Sequence, residues 1–332
     1  MKTKKGIALV MANADYVQQN KLPACKKDGE DIKEVLEYLN FDVISGLDLD
    51  RTDMYEIISN FIDEAKSYST VLVYYSGHGV QIDGDNYFVP IDCEYKNSKA
   101  IFKDTQLVGI NSITEFMTAN PSKTNIMILD ACRSTVDFAK DIVGTGLTEI
   151  MAGNGTLIAF ATSPNEVARV DSTEDGNSYY TKCLLPNIIR PNIKIEDMFK
   201  AVRNDVVQMT NGEQVPWENT SLNKDFYFNT MDQDEINEQI YQCIRNNYTA
   251  ETLILLNRIL GQSISELMRI HCRQKSEKPG GIYFEKTQDM EHFLLEQVLE
   301  LGFEFKNYRW CFGEIPVQMG EFLHNPSVEI RR

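Results

Sequence analysis

Two side chains in this sequence could act as a nucleophile and its base. Cys132 closes the run Ile-Met-Ile-Leu-Asp-Ala-Cys-Arg-Ser at 126–134, and His78 lies in Val-Leu-Val-Tyr-Tyr-Ser-Gly-His-Gly-Val-Gln at 71–81. A free thiol is mostly protonated at neutral pH, and the thiolate is the species that attacks. A nearby imidazole can take that proton and later return it to a leaving amine. Gly77 and Gly79 are expected to let the backbone turn sharply around His78. With no side chain at Gly79, its N–H can point into the site beside that of Cys132, a pair of donors for an oxyanion. The plain alternative is a buried structural cysteine and an unrelated turn histidine.

For the pair to meet, the elements before them must be neighbours. Both runs are apolar and rich in Val, Ile, Leu and Tyr, as in strands buried on both faces of a parallel sheet. Sites in such sheets lie beyond the carboxyl ends of the strands, so both residues would emerge at one edge. Upstream, residues 6–11 read as a strand, 28–39 as an amphipathic helix, 41–47 as a strand and 53–66 as a helix. That alternation predicts an α/β fold, a mostly parallel β-sheet flanked by helices. Residues 80–90 read as a hairpin turning at 83–85. Asn111 or Ser112 is placed to cap a helix through Ala119. Further strands are expected at 123–129 and 156–162, helices at 177–189 and 195–209, and a closing strand at Asp-Phe-Tyr-Phe, 225–228. From about Thr230 the pattern changes. Helical spacing at 235–246, 250–275 and 289–301, a Pro-Gly-Gly break, and short apolar runs at 282–285 and 303–312 predict a smaller α+β C-terminal domain, 230–332, after a first domain, 1–229.

Composition narrows the function classes. At 332 residues, 42% hydrophobic and 25% charged, the chain has ordinary globular make-up, with room for one large or two ordinary domains. No apolar run reaches the roughly 20 residues of a membrane span, and the N-terminal apolar stretch is too short for a secretory signal. The first strand begins almost at the start, so no long pro-segment is expected. Seven cysteines without regular spacing fit free thiols in a reducing compartment, here the cytoplasm. A net charge of −16 argues against nucleic acid as a partner and favours basic ligands, including peptides with Lys or Arg. Cys243, Cys272 and Cys311 with His271, His292 and His324 lack the paired short spacing of a zinc site, and no glycine-rich phosphate loop is present, so no metal or other cofactor is expected. Cys93 follows no buried strand with a small-residue turn and reads as structural.

Tyr-Tyr-Ser-Gly-His-Gly, 74–79, followed by Leu-Asp-Ala-Cys-Arg-Ser, 129–134, resembles the caspase-like cysteine peptidases (family C14) from about residue 5 to 229. The caspase form carries Gln two residues before the cysteine. Asp130 stands there instead and resembles the paracaspase and metacaspase pattern. The resemblance implies a cysteine endopeptidase with Cys132 as nucleophile, His78 as base and later acid, and a thioester acyl-enzyme. It places Asp130 at the base of the pocket for the side chain preceding the scissile bond. It also places Asp28, fifty residues before His78, at a second acidic position of that pocket. Two carboxylates in one cavity favour a cation between them, so Arg and then Lys is expected before the cut bond. Glu166 could add a third charge. The alternatives are that Asp28 caps its helix and that Asp130 holds the cysteine turn. Self-cleavage is implied between the cysteine strand and the next, with Lys140 and Arg169 the best-placed basic residues. Asp83-Gly-Asp85 is a polar turn rather than the calcium site of some metacaspases, since its carboxylates are too few. Residues 230–332 are expected to gate the peptidase by binding a regulatory ligand or protein. Two other readings stay open: a silent caspase-like scaffold, or a protease of a bacterial defence or death system gated by a nucleotide second messenger.

Overall fold

In a buried strand successive side chains point to opposite sides, so every such strand needs a helix layer on each face. The computed structural model, which describes residues 4–94, 96, 98–132, 147, 153–163, 176–231, 303–306, 309–312 and 315–317, has that arrangement. The strands β1 (Gly6–Ala12), β2 (Phe41–Leu47), β3 (Thr70–Ile82), β6 (Thr124–Cys132), β7 (Thr156–Phe160) and β8 (Trp217–Thr220) lie in the order β2-β1-β3-β6-β7-β8. All pair in parallel except β8, which runs antiparallel to β7. A short strand, β4 (Asp85–Phe88), pairs with the far end of β3, and β5 (Val108–Gly109) pairs with β4.

The helices follow the two-residue alternation. Ala8, Val10, Leu72, Tyr74, Ile126 and Ile128 pack against α1 (Pro23–Tyr38), α5 (Tyr179–Ile188) and α6 (Ile195–Met209). Ile7, Leu9, Val71, Val73, Met127 and Leu129 pack against α2 (Arg51–Ala65) and α4 (Asn111–Ala119). The expected α/β sheet flanked by helices is therefore present. The remaining helix, α3 (Lys99–Gln106), buries Phe102 and is capped by Ser98, whose hydroxyl accepts the Ile101 N–H.

Several boundaries differ from the sequence reading, each for a physical reason. α1 begins five residues earlier than expected, at Pro23, because proline at the first helical position gives up no hydrogen bond. Neither Asn111 nor Ser112 caps α4: the cap residue is Ile110, and it makes no side-chain cap bond. The His78 run does not end in a turn. Residues 70–78 pair with β6, and 79–82 pair at once with β4, so the ladder passes through both glycines without lapsing. The hairpin turn lies at Asp83-Gly84, both with positive φ, the pairing favoured in two-residue hairpins. Asp225–Phe228 is not a strand, since β8 already occupies the edge beside β7. Its Phe226 and Phe228 still point into the core, while the Phe226 carbonyl accepts the Ile195 N–H at 2.9 Å and the Phe228 carbonyl accepts Lys5 Nζ at 2.5 Å.

The chain divides into two compact units, Met1–Ile189 with Ile193–Phe228, and Arg190–Asn192 with Asn229–Arg332. In the second, β9 (Phe303–Lys306), β10 (Arg309–Phe312) and β11 (Ile315–Val317) form an antiparallel sheet in the order β11-β10-β9. The helices expected at 235–246, 250–275 and 289–301 and the strand at 282–285 lie outside the described residues. Among the described residues no helix is long and apolar enough to cross a membrane.

Candidate functional site

The parallel register of β3 and β6 pairs Ser76 with Asp130, Gly77 with Ala131 and His78 with Cys132. Backbones one strand apart are separated by roughly 4.8 Å, so the two reactive residue types occupy adjacent positions where the sheet ends. The imidazole is half-buried, and its Nε2 lies 2.9 Å from the Asn20 carbonyl. A carbonyl oxygen can only accept, so Nε2 carries the proton and Nδ1 is left as the basic nitrogen. Burial lowers the His78 pKa below its ordinary value, and the Asn20 carbonyl partly offsets this. Asn20 belongs to the loop 13–22, which is fastened along its length. Asn13 Oδ1 accepts the Leu49 N–H at 2.9 Å, and its Nδ2 donates to the Val89 carbonyl at 3.1 Å. Asp48 accepts the N–H groups of Ala14 and Asp15, each at 2.8 Å, and Gln19 Nε2 donates to the Cys93 carbonyl at 2.7 Å. Gly79 lies against Leu147 and Ala131: a Cβ there would come within 3.0 Å of the Leu147 side chain.

Beside this pair, on the side of the sheet facing α1 and α5, are two buried carboxylates. Asp28 is fully buried and Asp130 is 5% exposed. Ser178, the cap residue of α5, joins them: its N–H donates to Asp28 Oδ1 at 3.0 Å and its hydroxyl donates to Asp130 Oδ2. Ser76 Oγ donates to Asp28 Oδ2 at 3.1 Å, and Thr181 Oγ1 donates to Asp130 Oδ2 at 2.8 Å. Among the described residues no Lys, Arg or His is paired with either. Burial, then the charge of Asp130, pushes the Asp28 pKa up to about 8, against the pull of hydrogen bonds from Asn177, Ser178 and Ser76. Asp130 is also raised by burial, against the Ser178 and Thr181 donors. The arrangement is two buried acids oriented by neutral donors, with no cation paired to either among the described residues.

The comparison that decides the family matches the caspase-domain profile to residues 5–227. The chain belongs to the caspase-domain peptidases, family C14. Within that domain it is similar to mucosa-associated lymphoid tissue lymphoma translocation protein 1 of Homo sapiens, 24% identical over 214 residues, which cover 64% of this chain and 25% of that protein. The homologue from Mus musculus matches with the same identity and the same coverage. This chain thus spans about a quarter of the length of these relatives.

Seen as a caspase domain, the site brings together His78 and the backbone of Cys132, and separately Asp28 and Asp130. Helix capping does not explain Asp28: α1 starts at Pro23, and the Asp28 carboxylate is bonded to β3 and α5 instead. Asp130 is likewise bonded to α5, at Ser178 and Thr181. Glu166, Lys140 and Arg169 lie outside the described residues, as do Cys243, Cys272, His271, His292 and His324. Sequence reasoning passed over Ser76, Ser178 and Thr181, and over the loop that brings Asn20 to the imidazole. That loop follows β1 at the same sheet edge, and this was the available signal.

The paired carboxylates have a consequence for stability. A carboxyl raised by folding binds more protons in the folded chain than in the unfolded one between its unfolded pKa near 4 and its folded value near 8. Stability from this source is full below pH 4 and is lost as pH rises through 8. The ligand-free protein should therefore melt roughly 5 °C lower at pH 8.5 than at pH 5, and Asp28→Asn should flatten that slope. A melting temperature that rises over this range in the wild type, or an unchanged slope in the variant, would contradict the buried acid pair.

Cys93 is buried, 1% exposed, and its thiol is pushed up to about 12, chiefly by burial and then by Asp92 and Glu94. Such a thiol stays protonated at neutral pH and attacks nothing. Cys93→Ala should change the turnover of any peptide by less than about 3-fold while costing about 1–2 kcal/mol of stability from the small cavity. Loss of turnover in a folded Cys93→Ala protein would move the nucleophile there.

Proposed function

We propose that this caspase domain is a cysteine endopeptidase that cleaves after Arg, and less readily after Lys, with Cys132 as nucleophile and His78 as base. The observation that carries the reading is the buried Asp28–Asp130 pair beside the His78–Cys132 register, with no cation paired to it among the described residues. His78 Nδ1 takes the thiol proton as Cys132 Sγ adds to the scissile carbonyl carbon. The N–H groups of Gly79 and Cys132 receive the oxyanion. The tetrahedral adduct collapses to a thioester as the imidazolium gives its proton to the departing amine. A water, deprotonated by His78, then attacks the thioester and restores the thiol. This chemistry needs no metal or organic cofactor. The substrate is a protein or peptide presenting a basic side chain.

The same proposal assigns residues 1–229 to the peptidase domain and 230–332 to a recognition domain that gates it through a regulatory ligand or protein, and it places the protein in the cytoplasm. The chemistry-bearing residues before 230, and the change of pattern after it, support that division. The test is incubation with fluorogenic peptides ending in Arg, Lys or Asp, comparing wild type with Cys132→Ala. Release from the Arg peptide by wild type alone is the expected result. No release from any of the three, or equal release by both proteins, overturns the reading.

A further inference from the structure

The peptide groups around His78 are held by two tyrosine hydroxyls. The His78 N–H donates to Tyr16 Oη at 2.8 Å, and Tyr75 Oη donates to the His78 carbonyl at 2.8 Å, which also accepts the Val89 N–H at 3.1 Å. The hydroxyls themselves lie 3.5 Å apart. Each phenol has one proton, and that of Tyr75 is engaged by the His78 carbonyl, with the Val89 carbonyl more distant at 3.4 Å. Between the two hydroxyls, therefore, Tyr16 is the donor and Tyr75 the acceptor. The bonds close in one direction, from the His78 N–H through Tyr16 and Tyr75 back to the His78 carbonyl, and each bond polarises the next. Both rings are buried, Tyr16 at 2% and Tyr75 at 0% exposure, and burial raises the Tyr16 pKa well above its ordinary value, so that phenol stays a neutral donor. The Tyr16 ring also lies 4.5 Å from the imidazole, tilted by 51°.

Gly77 belongs to the same device. A Cβ there would fall 2.6 Å from Tyr75 Oη and 2.7 Å from Tyr16 Oη. The glycine before the histidine is thus required by the space the two hydroxyls occupy, in a strand that continues through it. Tyr16 comes from the loop that also supplies the Asn20 carbonyl to Nε2, so one loop contacts both the backbone and the ring of His78.

We infer that Tyr16 and Tyr75 are positioning residues for the His78 base. They fix the peptide planes on either side of it, so that with Nε2 held by Asn20, Nδ1 is aimed at the Cys132 position. This rests on the dyad reading above. Tyr16→Phe keeps the ring against the imidazole and removes the acceptor of the His78 N–H together with the donor to Tyr75. Tyr75→Phe removes the acceptor of that Tyr16 bond and the hydroxyl donor to the His78 carbonyl, where the Val89 N–H remains. Each should lower kcat for the Arg peptide about 10- to 100-fold, the scale of a misplaced catalytic group, with KM within about 2-fold. The double variant should lose little more than either single one, since either change opens the same circuit.

The decisive readout is alkylation of Cys132 by iodoacetamide across pH 5–9, which needs no substrate pocket. A thiolate paired with His78 alkylates well below the free-thiol range. Each Phe variant should shift that profile toward a free thiol near 8.5, and its melting curve reports whether the fold survives. If Tyr16→Phe does not fold, Tyr75→Phe, whose ring stays in the core, is the variant that decides. Variants with the wild-type kcat and the wild-type alkylation profile, even if they melt earlier, overturn the positioning role and leave the dyad standing. A wild type whose Cys132 alkylates as a free thiol overturns both.

Discussion

Cys132→Ala and His78→Ala should each reduce hydrolysis of an Arg-ending peptide by about 10⁴-fold or more, and the double variant should be no worse than the poorer single one. Members of one nucleophile–base unit fail together, because each is idle without the other. The magnitudes separate this from lost packing. A core defect costs a few kcal/mol of stability and shifts the melting temperature, whereas here the fold should stay intact by circular dichroism while turnover disappears. The two variants also differ in what remains. His78→Ala keeps the Cys132 thiol, which should then alkylate only as pH approaches the ordinary thiol range, while Cys132→Ala should lose that site of labelling altogether. Cleavage within about 10-fold of wild type by either folded variant would remove the dyad.

Arg before the scissile bond should be preferred to Lys, and Asp should be rejected outright. A guanidinium can engage Asp28 and Asp130 through its planar fork, whereas an ammonium is a point charge. A third carboxylate would enter a site that already struggles to ionise two. Asp130→Asn or Asp28→Asn should lower kcat/KM for the Arg peptide by roughly 100-fold, about 3 kcal/mol, because a buried charge then enters with half its balance missing. The raised acids add a pH signature. At neutral pH the raised pair retains a proton that would have to leave when a cation binds, so Arg binding should release protons and strengthen as pH rises toward 8. The ratio of kcat/KM for an Arg peptide to that for one with a neutral residue should climb between pH 6 and 8.5, the common titration of His78 and Cys132 cancelling in the ratio. Preference for Asp, or undiminished Arg cleavage in both Asn variants, would sink the acidic pocket while leaving the Cys–His chemistry standing.

How far these expectations were open to reading depends on the range of each signal. Two-residue alternation and helical spacing are local, and they placed Phe41–Leu47 and Ile195–Met209 to the residue. They also brought Gly6–Ala12, Thr70–Ile82 and Thr124–Cys132 into one parallel sheet in outline. His78 and Cys132 stood out because each ends an apolar run among small residues, a pattern complete within about ten positions. The same locality misled where a segment answered to something distant. Asp225–Phe228 alternates like a strand, but its backbone is engaged by Ile195 and Lys5 because β8 already holds the sheet edge. The glycines around His78 read as a turn, although the chain runs straight through them into a second ladder, and Gly77 is needed for the space the Tyr16 and Tyr75 hydroxyls take.

By itself, the sequence determined the α/β class, the candidacy of His78 and Cys132, and the likeness that singled out Asp28 and Asp130. Tertiary structure alone decided that Ser178 bonds both carboxylates, its N–H reaching Asp28 across 150 positions and its hydroxyl reaching Asp130 across 48. It decided too that His78 is held by Tyr16 and Asn20 from a loop some 60 residues away. The reason is physical: a hydrogen bond between strand ends, a loop and a helix cap leaves no period in the chain, since its partners are chosen by where the packed sheet and helices bring them.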